Sequence, residues 1–283
     1  AQAFSAQSAM SMRAKKEKGE PARPRVKKRP AKKTKAAPWS YNRLWDPPVI
    51  RRGWHSRNAN FWKCQASDVR GMTGGGVTEK DLNFSNRALQ QLLRSRGSTH
   101  FSKALECGAG IGRVTNAVLR KHCNHIHLVE FVKKHLNEAR KRLKQRVDHC
   151  SFSFHNSAMQ KFRIKRCSFD LIWCQWLLMY LTDADALDLL RRCSAGLAGD
   201  GVLIVKENLS TVRMATYFDD EHGELWGRGG IGAPVSCVRT PLHYKDLFCR
   251  AGLRVLQEKI QRDLGSEHMK MGLFVLVPSG MSI

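Results

Sequence analysis

The sequence predicts an α/β protein with a parallel sheet covered by helices on both faces, preceded by a basic tail. Three observations carry this. Short apolar runs rich in β-branched and aromatic residues recur, helical patterns mostly alternate with them, and a glycine turn, "ECGAGIGRV", follows the first run. The hydrophobic fraction of 42% suffices for a core, whereas 49 Lys and Arg against 24 Asp and Glu leave a formal charge of +25.

Much of that excess lies in "MRAKKEKGEPARPRVKKRPAKKTKAAP", which has too little apolar surface to offset the entropy of ordering. Residues 1–57 are therefore read as a mostly disordered tail and 58–283 as the folded domain. The tail suits contact with nucleic acid or ribosomes, a nuclear-targeting patch, or a solvated extension. Its first residues also carry a weak transit-peptide composition. Nine scattered Cys, with no CxxC pair, read as reduced thiols inside a cell. The longest apolar run, "FDLIWCQWLLMYL", is too short to span a membrane.

Along the chain, "SNRALQQLLRSR" has helical spacing and "KALECGAG" is a strand ending in the turn. A helix over "GRVTNAVLRKH", a strand over "HIHLVE" and a helix over "KKHLNEARKRLKQRV" come next. "CSFSFHN" and "SFDLIWCQW" read as strands, "ADALDLLRRCSAGL" as a helix and "GDGVLIVKEN" as a strand. "LHYKDLFCRAGL" is a helix with a Gly stop signal, and "RVLQEKI" with "MGLFVLVP" reads as an antiparallel hairpin closing the sheet edge. Between Asn208 and Arg239 the periodicity fails, and "GELWGRGGIGAPV" reads as a loop.

The glycine turn separates the candidate cofactors. Gly108 and Gly110 let a ligand approach the backbone, but Arg113 stands where a dinucleotide site has its third Gly. A guanidinium there suits a carboxylate, such as the one at the methionine end of S-adenosylmethionine. Glu130, 22 residues after Gly108, ends the second strand and suits ribose hydroxyls. Together they point to S-adenosylmethionine. "KHCNHIHLVE" gathers His and Cys but lacks a second ligand pair at matching spacing, so no metal is expected.

"ECGAGIGRV", "FDLIWCQWLLMYLTD", "VKEN" and "VRGMTGG" together resemble the protein α-N-terminal methyltransferases, which act on Xaa-Pro-Lys/Arg N-termini. The likeness runs from Phe61 to Pro278. It implies a seven-stranded Rossmann-like class I methyltransferase sheet with an N-terminal helical lid. It also implies that Gly108, Arg113, Glu130, Met159, Gln160 and Gln175 contact the cofactor. Trp62, Gly74 and Trp176 would wall the peptide channel, and Glu207 would receive the basic third residue, with Asp219 as a further acid. Asn208 would hold the incoming α-amine. Where the family often has His, this chain has Tyr180, a positioning hydroxyl rather than a base. His222, Asp219, Asp220 or Glu221 is then expected to take the proton. Expected partners are protein N-termini, ribosomal or chromatin proteins among them, met by a monomer in cytoplasm or nucleus. Two alternatives are an inactive fold that binds RNA or ribosomes through the tail and a methyltransferase for another acceptor.

Overall fold

The computed structural model describes residues 53–75, 77–144, 149–210, 217–219, 236–264 and 269–281. Three helices come first: α1 (Trp54–Cys64), α2 (Val69–Thr73) and α3 (Thr78–Ser95). They are followed by β1 (Phe101–Cys107), α4 (Arg113–Ala117), β2 (Cys123–Glu130), α5 (Lys133–Lys144), β3 (Ser151–Asn156) and β4 (Phe169–Gln175). The chain continues through α6 (Asp183–Gly196), β5 (Leu197–Asn208), β6 (Tyr217–Asp219), β7 (Ser236–Val238), α7 (Pro241–Arg250), β8 (Leu253–Gln261) and β9 (Met271–Pro278). Helix α1 starts at Trp54, four residues ahead of the boundary read from the charge pattern, because Trp54 is buried and its indole bonds into the domain.

Seven strands form one sheet in the order β3-β2-β1-β4-β5-β9-β8. The first five pair in parallel, as the alternating pattern predicts. The expected closing hairpin is present, with β9 between β5 and β8 and antiparallel to both. A separate two-stranded ladder joins β6 to β7, which lie on either side in sequence of the stretch read as a loop.

Alternate residues of the strands feed two cores. On one face Leu105, Ile172, Leu203 and Val205 pack with α6 and α7 through Leu190, Leu247 and Phe248. On the other, Ile126, Leu128, Leu171 and Trp173 pack with α3 and α5 through Leu89, Leu92, Leu136 and Ala139. Each fully buried aliphatic side chain contributes about 1.5–3 kcal/mol. Among the described residues no helix is long and apolar enough to cross a membrane.

The helix expected over residues 112–122 is shorter. Helix α4 stops at Ala117, Val118 leaves helical geometry with φ −123° and ψ −66°, and a 3₁₀ turn covers Leu119–Lys121. Branched side chains at Val114, Thr115 and Val118 lower helix propensity, and Thr115 donates its hydroxyl to buried Glu106.

Candidate active site

The parallel strands deliver Gly108, Glu130 and Gln175 to one end of the sheet, where open α/β folds collect ligands. A cavity of about 830 Å³ opens there, large enough for a nucleoside-sized ligand with room for a second. Its wall includes Gly108, Arg113, Glu130, Met159, Gln160, Gln175, Trp62, Trp176 and Tyr180.

The glycine turn lies against the cavity in the left-handed region. Gly110 has φ +55°, and a Cβ there would sit 3.0 Å from the Met72 sulfur, so any side chain would be strained and crowded. Its N–H donates to Glu130 (3.0 Å), whose other oxygen accepts from Val132 N–H (2.7 Å). Burial pushes the Glu130 carboxyl up, and these backbone donors oppose that push. Each carboxylate oxygen keeps a second lone pair, so ribose hydroxyls can still be accepted.

Arg113 is engaged from behind. It donates to Asp81, in the first turn of α3, at 2.6 Å. Gln175 donates its amide to both Asp81 oxygens at 3.0 Å, and Lys206 donates to the Asp81 carboxylate and, at 3.1 Å, to its carbonyl. Burial raises the Asp81 carboxyl, but Arg113 and Lys206 outweigh it and hold it below the usual range. Burial lowers Lys206 to about 8, so at neutral pH it stays charged. Two cations around one anion leave a single surplus positive charge facing the cavity. The cavity size, the crowded glycine turn, a ribose acceptor and this charge fit a cofactor bearing ribose at one end and a carboxylate at the other.

The aromatic wall is tied together through α1 and α5. Trp62 meets Tyr180 edge-to-face with ring centroids 5.4 Å apart, while Trp54 donates its indole N–H to the Tyr180 carbonyl (2.8 Å). His135 of α5 contacts the Trp62 carbonyl through Nε2 (2.9 Å) and Ser67 through Nδ1 (2.8 Å). Because burial lowers its pKa, His135 is neutral, with the proton on Nε2 and Nδ1 accepting. Trp176 adopts φ +50°, costly for a bulky residue. Its N–H bonds the Lys206 carbonyl (3.1 Å), its indole donates to Asn208 (3.1 Å), and the Arg113 guanidinium lies 5.0 Å over its ring. Strained backbone of this kind clusters at functional sites.

Other sequence expectations fall differently. Glu207 is not at the mouth: it is fully buried on β5 and accepts the N–H groups of Leu177 and Leu178 at 2.8 and 2.7 Å. Burial raises it to about 7. The acidic look of "KEN" misleads because both faces of this strand are covered, so neither Lys206 nor Glu207 reaches solvent. Gly74 ends α2 at φ +72° and lies outside the cavity wall, which its neighbour Met72 joins instead. Asn208 lies outside the cavity wall and accepts the indole N–H of Trp176. Asp219 pairs through its backbone with Ser236, and Asp220, Glu221 and His222 lie outside the described residues.

Sequence reasoning missed Asp81, Lys206, His135 and a further buried group. Arg239 donates to Asp183 and to the carbonyls of Leu178 and Leu181 (both 2.8 Å), fixing the turn that carries Tyr180, and His243 holds the second Asp183 oxygen at 2.8 Å. The "LTD" signal could have pointed to Asp183; nothing near Arg239 in sequence marks it. The histidines of "KHCNHIHLVE" bond neighbours: His122 to Asn86, His125 to Ser151 and Ser153, His127 to His155. Three buried thiols, Cys107, Cys174 and Cys193, lie within 4.8 Å of one another between the sheet and α6.

Residues 51–277 match the profile of a family described as AdoMet dependent proline di-methyltransferase. The chain belongs to this family. It is 32% identical over 228 residues to an alpha N-terminal protein methyltransferase 1 from Schizosaccharomyces pombe, covering 79% of this chain and 96% of the relative. An N-terminal Xaa-Pro-Lys N-methyltransferase 1-A from Xenopus laevis is 33% identical over 217 residues, covering 75% and 90%. A solved SAM-dependent methyltransferase from Leishmania major superposes with a TM-score of 0.69 at 27% identity, covering 84% of this chain and 91% of the other. The seven-stranded sheet is thus a class I methyltransferase fold, and S-adenosylmethionine is the cofactor of this family member.

Proposed function

We propose that this chain methylates the α-amino group of protein N-termini of Xaa-Pro-Lys/Arg type. The observation that carries the reading is one continuous cavity, with Arg113 and Glu130 at the cofactor end and Trp62, Trp176 and Tyr180 beside it. Relatives sharing about a third of their residues are named for this activity.

When bound, S-adenosylmethionine supplies an electrophilic methyl, so the protein needs only to align a neutral amine with it. Arg113, whose charge is left in surplus because Lys206 offsets Asp81, receives the cofactor carboxylate, and Glu130 accepts its ribose. The flat indoles of Trp62 and Trp176 receive the proline ring, and Tyr180 orients the first residue. An α-amine has a pKa of about 8, so a modest base suffices. Asn208, held against Trp176, steadies the amine, and Asp219, Asp220, Glu221 or His222 removes its proton. Ribosomal and chromatin proteins are the natural candidates as substrates, reached in cytoplasm or nucleus, and the basic tail suits nucleic-acid contact near them.

Offering an Xaa-Pro-Lys peptide and an RNA oligomer with labelled cofactor tests this. Label on the peptide alone, lost when its α-amine is acetylated, is expected. Label on RNA, or cofactor binding with transfer to neither, would overturn it.

A further inference from the structure

Arg113 and Gln175 both line the cofactor cavity, and although Arg113 lies over the Trp176 ring, neither side chain is hydrogen-bonded to another residue of that wall. Both are held by Asp81, which is fully buried and does not reach the cavity. The Asp81 carboxylate takes Arg113 on one oxygen and the Gln175 amide on both, while Lys206 and its partner Ser85 (2.9 Å) fix Asp81 from the far side. The Gln175 orientation is set twice over, because its oxygen accepts the Trp173 indole N–H at 3.2 Å. One carboxylate thereby sets the direction of the guanidinium and of the amide that face the ligand.

We propose that Asp81 is the positioning residue for the amino-acid end of the cofactor, acting through Arg113 and Gln175 without touching the ligand. Lys206 is its counter-ion rather than a ligand contact. The proposal rests on the cofactor assignment but not on the identity of the methyl acceptor. Long guanidinium side chains lose binding energy when they must be ordered on binding, and preorganising them recovers it. Asp81 also carries negative charge beside a cavity that takes a carboxylate, so a purely electrostatic role would weaken cofactor binding. Positioning and charge therefore predict opposite signs.

The experiment compares S-adenosylhomocysteine, which carries the amino-acid end, with 5′-methylthioadenosine, which lacks it, by calorimetry on the full chain. Asp81→Asn combined with Lys206→Met keeps the local charge at one surplus cation, so what changes is the hold on Arg113 and Gln175. The variant is expected to bind S-adenosylhomocysteine at least tenfold more weakly while 5′-methylthioadenosine changes less than twofold. Asp81→Asn alone preserves shape and serves where the paired variant fails to fold by circular dichroism; the same selective loss is expected despite its added positive charge. Equal losses for both ligands would mean a scaffold role, and unchanged or tighter S-adenosylhomocysteine binding would mean Asp81 only competes for Arg113. Either overturns the proposal. Failure of the unaltered chain to bind either ligand would instead sink the cofactor assignment.

Discussion

At the scale of single residues, Glu130 and Asp183 make the clearest predictions. Glu130→Gln keeps the shape of an acceptor but removes the charge that strengthens a bond to ribose. Charged hydrogen bonds contribute roughly 1.5–3 kcal/mol, so S-adenosylhomocysteine affinity should fall by about tenfold or more in calorimetry. An unchanged affinity would separate Glu130 from the ribose. For Asp183, burial raises the carboxyl, but His243 and Arg239 outweigh it and hold it at about 2 against an ordinary 3.8. Between those values the unfolded chain binds the extra proton, so this stability is present above about pH 4 and lost as pH falls toward 2. The shift corresponds to about 2 kcal/mol. Urea midpoints measured from pH 6 down to pH 2 should drop less steeply for Asp183→Asn than for the unaltered chain; parallel curves would refute the assignment. Arg113 and Glu130 were legible because they stand after or at the end of a strand at a spacing that chemistry constrains, whereas Gln175 came only from the family resemblance. Asp81 was not, since an acid in a first helical turn ordinarily reads as a solvated partner of the helix dipole, and its partners Gln175 and Lys206 are 94 and 125 residues away. Glu207 was misread for the converse reason, because a charged letter looks exposed until the second covered face of its strand is known.

Among the elements, the turn from Trp176 to Asp183 matters most. It follows the strained Trp176, carries Leu177 and Tyr180 into the cavity wall, and ends where Thr182 accepts the Asp185 N–H to start α6. A 3₁₀ turn over Leu178–Tyr180 shapes it only in part. Glu207 holds its first two N–H groups, and Arg239, outside the sheet, holds two of its carbonyls and Asp183. A Lys at position 239 keeps the charge but cannot span three acceptors in a planar fork. Arg239→Lys is therefore expected to lower kcat/KM for an Xaa-Pro-Lys peptide by about tenfold or more, as the loss of one or two charged hydrogen bonds would. Cofactor affinity should stay within about twofold, because Arg113 and Glu130 are held by α3 and by the glycine turn. Equal losses of both would show that the turn supports the whole cavity. The seven strands were legible as apolar runs, whereas α4 ended early because branched side chains at Val114, Thr115 and Val118 lower helix propensity, which the periodic pattern does not show.

For the whole molecule, the charge poses a problem that the cavity must solve. A chain of +25 is asked to bind a peptide whose first residues bear an ammonium and a Lys or Arg. Roughly half of the excess lies before residue 58, and among the described residues the acids on the cavity wall are Glu106, Glu130 and Asp185, the last shared with His55 at 3.3 Å. Burial raises Glu106 to about 7, which leaves little fixed negative charge to draw a cation inward. Long-range repulsion then governs the encounter, and salt should relieve it, since the screening length falls from about 30 Å at 0.01 M to about 8 Å at 0.15 M. Initial rates at low peptide concentration should therefore rise severalfold over that range for an Xaa-Pro-Lys peptide, the reverse of ordinary steered association. A peptide with the same first three residues followed by several Glu should show the opposite slope, because its net charge is attracted while its reacting end is unchanged. A basic peptide whose rate falls with salt would mean that acids near the mouth outweigh the field of the whole chain.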